Sequence, residues 1–366
     1  MIPVNEPLLD GNERSYLLEC LETGWISSEG PFVERFEAAL AAQVGRRHGV
    51  AVSSGSAALE ICVAALGIGS GDEVIMPAFT IISCAAPVVR AGARPVLVDS
   101  DAATWNMDAA QIEARITPRT RAIMLVHIYG LPADVEPILD VARRHKLAVI
   151  EDAAEMHGQR YRARACGSFG ELSVFSFYPN KHVTTGEGGM VLTDDAALAE
   201  RCRGLRNLCF QPQARFVHEA LGWNFRMTNL QAALGLAQLE RLEASVARKR
   251  RMGQRYTERL RGLPGVQLPL ARTDYAENIF WVYGLVPERI EARAAMRKLG
   301  EAGVGTRPFF WPMHRQPVFE RMGLFAGERY PVAERLGSHG FYIPSGLALT
   351  DAQIDTVAAR VREALA

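Results

Sequence analysis

A series of short, nearly uninterrupted apolar runs between about residues 48 and 200 constrains this chain more than any other feature. They are Val50-Ala51-Val52, Glu73-Val74-Ile75-Met76, Pro95-Val96-Leu97-Val98, Ala122-Ile123-Met124-Leu125-Val126, Leu147-Ala148-Val149-Ile150, Ser173-Val174-Phe175 and Met190-Val191-Leu192. A strand with one wet face alternates apolar and polar residues. Runs that are apolar throughout indicate strands buried on both faces. Stretches of helical composition lie between several of them, such as residues 57–66 and 135–145. This rhythm predicts an α/β fold, a mostly parallel sheet with helical layers on both sides.

After Thr228, Leu230, Leu234, Leu242 and Val246 recur at helical intervals and predict one long helix. The basic run Arg248-Lys249-Arg250-Arg251 follows and reads as a solvated helix face. Leu263-Pro264-Gly265 should stop the helix. Beyond it lie a strand signal at residues 280–286 and an amphipathic helix starting at Asp351. At roughly 150 residues per domain, the length suits two units. The expected division is a large α/β domain, residues 1–250, and a smaller α+β domain, residues 251–366.

Charge then narrows the partners. Lys+Arg and Asp+Glu both number 41, so no global field draws in nucleic acid or an anionic membrane. An anion must be held by a local site. No apolar run approaches the roughly 18 residues of a membrane span, and Met1-Ile2-Pro3-Val4-Asn5 lacks a signal-peptide pattern. The cysteines, Cys20, Cys62, Cys84, Cys166, Cys202 and Cys209, show no C-x-x-C pair and no metal-ligand spacing. They read as reduced thiols of a cytoplasmic protein without a metal site.

Four segments carry candidate chemistry. Ser53-Ser54-Gly55-Ser56-Ala57 follows an apolar run and opens a helix, where small residues and the helix dipole suit a phosphate; a plain N-cap by Ser53 or Ser54 accounts for it equally. Val149-Ile150-Glu151-Asp152-Ala153-Ala154-Glu155 places acids at the carboxyl end of a strand, where open α/β sheets bind ligands. Ser176-Phe177-Tyr178-Pro179-Asn180-Lys181 leads through Thr184-Thr185-Gly186-Glu187-Gly188-Gly189 into another apolar run. A lysine held there in an apolar site favours the neutral amine that a Schiff-base nucleophile needs. Gly222-Trp223-Asn224-Phe225-Arg226-Met227-Thr228-Asn229 is a polar-aromatic turn before the long helical pattern.

In this order and spacing, the four segments resemble the DegT/DnrJ/EryC1/StrS family of sugar aminotransferases. The likeness runs from Trp25-Ile26-Ser27-Ser28 through Arg307-Pro308 to Pro312-Met313-His314. It implies the fold-type I, aspartate-aminotransferase-like architecture and pyridoxal 5'-phosphate (PLP) as cofactor, with pyridoxamine 5'-phosphate formed during turnover. By the resemblance, Lys181 carries the Schiff base and shuttles the proton, and Asp152 pairs with the pyridine nitrogen. Glu155 stands where many relatives have Gln near the ring hydroxyl. Gly55, Ser56 and Ser176 match the phosphate cradle. Asn224 matches an asparagine that reaches the phosphate of the neighbouring subunit, which implies a homodimer with shared active sites. His314 matches a residue near the sugar pocket. Ile81, after Pro77-Ala78-Phe79-Thr80, stands where relatives place an aromatic residue on the cofactor ring, so either an aliphatic side chain packs there or another residue stacks.

The implied reaction moves nitrogen from glutamate, released as 2-oxoglutarate, to a nucleotide-linked 4-keto-6-deoxy sugar. Glu155 and the Asn180-Lys181 pair point to the branch that aminates GDP-4-keto-6-deoxy-D-mannose in O-antigen synthesis. A dTDP- or UDP-linked keto sugar or a keto-cyclitol is the alternative within transamination. Related sugar dehydratases carry histidine in the lysine position; here Lys181 is retained and His182 is one place later. A non-catalytic regulator on this fold would lack Lys181 or Asp152 and would add a basic nucleic-acid-binding region.

Overall fold

The computed structural model of the chain describes residues 1–211 and 213–365, so the last position of the expected 251–366 unit, Ala366, lies outside it. In chain order the strands of the first two-thirds are β1 (His48–Val52), β2 (Glu73–Pro77), β3 (Arg94–Val98), β4 (Thr120–Val126), β5 (Ala148–Asp152), the short hairpin β6 (Arg160–Tyr161) and β7 (Arg164–Ala165), β8 (Leu172–Ser176) and β9 (Gly189–Thr193). Seven of them form one sheet in the order β1-β9-β8-β5-β4-β2-β3. β3, β2, β4, β5 and β8 run parallel. β9 pairs antiparallel with both β8 and β1, because residues 177–188 turn back without a crossover helix.

Every one of the seven apolar runs became a strand of this sheet, for the reason their composition implied. Successive side chains point to opposite faces, and each face has its own core. Val50, Val52, Val74, Met76, Met124, Ile150 and Val174 pack into one cluster, while Ala51, Ile75, Ile123, Leu125, Val149 and Phe175 pack into another. Each such large side chain contributes about 1.5–3 kcal/mol on burial. The helices Gly55–Ala65 and Val135–His145 cover the sheet as their composition suggested.

The C-terminal third adds a second sheet, β10 (Val266–Gln267), β11 (Tyr283–Pro287), β12 (Arg307–Pro308) and β13 (Phe341–Ile343), in the antiparallel order β10-β11-β13-β12. The helix Asp351–Leu365 packs on it through Ile354, Val357 and Val361. The chain's first residues join this sheet's side, with Ile2 bridging Val304 and its N–H donating to Gly303 O at 2.8 Å.

Two expectations for the helical segment need correction. The single long helix is two, Asn229–Leu239 and Leu242–Leu260. No Gly or Pro marks the corner. The N-terminal segment pins it instead, since Gln238 Nε2 donates to Leu8 O and Glu13 Oε1, and Arg241 donates to Asp10. Nor is the basic run a uniformly solvated face. Lys249 is 1% exposed, on the same stripe as Val246, Met252 and Tyr256. No helix among the described residues is long and apolar enough to cross a membrane.

Candidate active site

The carboxyl ends of β4, β5 and β8 open into a cavity of about 310 Å³. Ser54, Gly55 and Ser56 line it from the start of the helix Gly55–Ala65. Ser54 is the cap: its Oγ accepts from Ala57 N at 3.1 Å. That leaves the N–H groups of Gly55 and Ser56 in the unpaired first turn, where the helix dipole favours an anion. Ser56 Oγ lies 2.7 Å from Ser83 Oγ, and Ser176 closes the other side. The backbone at Gly55 runs so close to Ser176 that a Cβ on it would lie 2.8 Å from Ser176 Cβ. This is a cradle of hydroxyls and amide N–H groups of the kind that holds a phosphate.

Asp152 ends β5 and is 4% exposed. Its Oδ1 accepts from Ala154 N at 3.1 Å, and its Oδ2 accepts from the Cys84 thiol at 3.3 Å. Burial raises its pKa, an effect that those two hydrogen bonds and the positive charge of Lys181 oppose. One turn on, Glu155 Oε2 accepts from Tyr129 N at 2.6 Å. Burial pushes the Glu155 carboxyl up to about 8, although Lys181 pulls it down.

Lys181 sits in the turn between β8 and β9. Hydrogen bonds from Phe177 N to Gly188 O (2.9 Å), Thr185 N to Phe177 O (3.0 Å) and Lys181 N to Tyr178 O (2.9 Å) fix this turn. The Lys181 side chain is 9% exposed and its Nζ lies 3.8 Å from Glu155 Oε1. Burial lowers its pKa, and the Glu155 and Asp152 carboxylates counter that. Burial thus disfavours the charge on both partners, and for the amine that is the direction a nucleophile requires. The same Nζ lies 3.7 Å from the ring centroid of Trp281.

The cavity thus gathers Gly55, Ser56, Ile81, Asp152, Glu155, Ser176 and Lys181. Ile81 lines it while 43% exposed, at the position expected to face a cofactor ring. Asn224 is exposed and does not line this chain's cavity; its backbone bridges to Asn207. His314 is absent from the lining as well. It is 3% exposed, with Nε2 3.0 Å from Glu334 Oε1 and its ring against Tyr330, so this geometry offers no support for contact with a sugar.

Sequence reasoning missed the far wall. Trp281, Arg307, Phe310 and Tyr342 come from the C-terminal third, with Arg307 paired to Tyr342 across β12 and β13. Trp281 lay at the edge of a strand signal and Arg307 in a short motif, and neither pattern says which way a side chain points. His127 was also missed. Its Nδ1 accepts from Ala133 N at 3.1 Å, so its Nε2 carries the proton and donates to the buried Glu151 at 3.0 Å. Cys166 stands close to both groups, but the two hydrogen bonds leave His127 no lone pair for a metal.

Comparison with known proteins supplies the family. The model of the DegT/DnrJ/EryC1/StrS aminotransferase family matches residues 7–362. A GDP-perosamine synthase from Caulobacter vibrioides is 45% identical, the match covering 100% of this chain and 98% of that protein. A protein of the same name from Escherichia coli O157:H7 is 39% identical over 99% of this chain and 98% of its own length. Among solved structures, the aminotransferase TlmJ from Streptoalloteichus hindustanus superposes with a TM-score of 0.93 at 31% identity, covering 100% of this chain and 99% of that one. The chain belongs to the DegT/DnrJ/EryC1/StrS aminotransferase family and is an aminotransferase.

Proposed function

We propose that this protein binds PLP through Lys181 and transfers an amino group from glutamate to a GDP-linked 4-keto-6-deoxy sugar. The carrying observation is that the buried Lys181 amine opens into the same cavity as Asp152 and the Gly55–Ser56 cradle. The residues fit the cofactor chemically. Gly55, Ser56 and Ser176 would hold its phosphate, and Asp152 its ring nitrogen, whose positive charge would oppose the upward shift that burial gives the carboxyl. Glu155 would face the ring hydroxyl and Ile81 the ring. Bound there, PLP supplies an electron sink for the carbanion left when a substrate C–H is ionised. Lys181 Nζ takes that proton and returns it, one group acting as base and then acid. Tyr129 N–H holds Glu155 beside this amine, and Trp281 screens it from water.

Nitrogen leaves glutamate, which takes its keto oxygen from one water and departs as 2-oxoglutarate, and arrives on the sugar C4 carbonyl, whose oxygen leaves as another water. The two relatives named GDP-perosamine synthase, at 45% and 39% identity, support GDP-4-keto-6-deoxy-D-mannose as the acceptor. Residues 1–250 form the cofactor-binding unit in this reading, and the smaller C-terminal unit closes the sugar side. We place the reaction in the cytoplasm, in keeping with six unpaired cysteines. The exposed Asn224 would complete the phosphate site of a second subunit, with His314 structural. Purified protein supplied with glutamate and, in turn, GDP-, dTDP- and UDP-linked 4-keto-6-deoxy sugars tests the acceptor. Amino sugar should form on the GDP substrate; preferential turnover of a dTDP or UDP substrate would overturn that assignment.

A further inference from the structure

In the basic run Arg248 and Arg250 are half-buried and Arg251 is exposed, and Lys249 is its one fully buried residue. It is 1% exposed, and no carboxylate among the described residues pairs with it. Its Nζ donates to two backbone carbonyls, Trp281 O at 2.7 Å and Ser345 O at 2.5 Å. Both acceptors sit at junctions. Trp281 lies two residues before β11, and Ser345 two residues after β13, where its Oγ accepts from Tyr283 N at 2.9 Å. An apolar side chain at this point of the helix stripe would leave both carbonyls buried without a donor.

The connection to the cavity runs through Trp281. Its carbonyl is held from behind by Lys249. Its indole N–H donates forward to Asn180 O at 2.8 Å, one residue before Lys181, and its ring lies 3.7 Å from Lys181 Nζ. Residues from three distant stretches, 249, 281 and 180–181, are therefore linked in series. His182 is buried too, with neither ring nitrogen hydrogen-bonded, so Lys249 donates to the two carbonyls and not to that ring. Lys249 does not line the cavity that Lys181 enters.

We propose that Lys249 is a positioning residue of the active site: by clasping the Trp281 and Ser345 carbonyls it holds the Trp281 indole against the Lys181 amine. The inference rests on the reading of Lys181 given above. Trp281 so held limits the directions Lys181 Nζ can take and keeps water from its outer side, and Lys249 acts only through it.

The test follows the visible absorbance band that grows when cofactor-free protein is mixed with PLP. Wild type should develop the band and Lys181→Ala should not; if both or neither do, the reading of the cavity fails before Lys249 is at issue. Given that pair, Lys249→Met should develop the band about tenfold more slowly, with kcat lowered similarly and the KM for the donor within about twofold. Trp281→Phe keeps the carbonyl but loses the indole N–H, and should slow the band by about tenfold as well; the double variant should be no slower than either, because both remove one linkage. Lys249→Gln keeps N–H donors with one bond less reach, and should lose about threefold, a loss that disappears in the Trp281→Phe background. This second cycle decides the matter if Lys249→Met does not fold. Lys249 variants that acquire the cofactor at the wild-type rate, or whose effect multiplies with that of Trp281→Phe, would overturn the proposal.

Discussion

At the residue scale, the site depends on placing two groups of opposite charge type in a dry wall 3.8 Å apart and disfavouring the charge on both. Glu155 shows the consequence for stability. Its carboxyl is raised from about 4.5 to about 8, so folding takes up a proton between those values. The stabilisation is fully present below about pH 4.5 and is lost as pH rises through about 8. Glu155→Gln removes that dependence. Unfolding free energies of the cofactor-free proteins should show the variant gaining on wild type by about 4 kcal/mol between about pH 5 and about pH 9. A difference that does not change with pH would contradict the assignment. That Lys181, Asp152 and Glu155 share one cavity was legible here, because each lies at the carboxyl end of a strand or a few residues past it. The surroundings of His314 were not legible, because nothing in Pro312-Met313-His314 reveals that Glu334 and Tyr330 flank the ring.

At the scale of elements, the seven strands were legible because burial on both faces leaves an uninterrupted apolar run, which few other structures need. The corner at residues 240–241 was not legible. Leucine spacing continues across it, and the contacts that bend the chain come from Gln238 and Arg241 to residues 8–13, more than 200 positions away. The phosphate cradle is a property of one junction, β1 to the helix Gly55–Ala65, packed against the end of β8. Gly55→Ala would set a Cβ 2.8 Å from Ser176 Cβ and push the two walls apart. PLP affinity, read by fluorescence titration, should fall about tenfold, while inorganic-phosphate-free protein keeps its secondary structure by circular dichroism. Unchanged affinity would show that the junction is not where the phosphate is held.

At the scale of the whole molecule, the cavity is made by the large sheet on one side and the C-terminal sheet on the other. Sequence order cannot show that Trp281, Arg307, Phe310 and Tyr342 return to face Lys181, since that depends on how the two sheets meet. Asn224 belongs to a further level. It is exposed here, and in a shared-site dimer it would serve the partner subunit's cavity. Mixing inactive Lys181→Ala with a severely impaired Asn224→Ala protein should then regenerate activity, to about a quarter of wild type if subunits exchange at random and one site per mixed dimer is intact. No recovery despite proven subunit exchange would contradict shared sites.

Which amine holds the cofactor is easy to resolve in this chain, because its lysines are Lys146, Lys181, Lys249 and Lys298 alone, and Lys181 is the one proposed. Of these, Lys146 and Lys298 are exposed and Lys249 is committed to two carbonyls. The direct measurement is borohydride trapping of the PLP-loaded protein followed by mass spectrometry of its peptides. The expected result is one pyridoxyl group per chain, on Lys181. A stoichiometric label on Lys146, Lys249 or Lys298, or no label on protein that binds PLP, would contradict it.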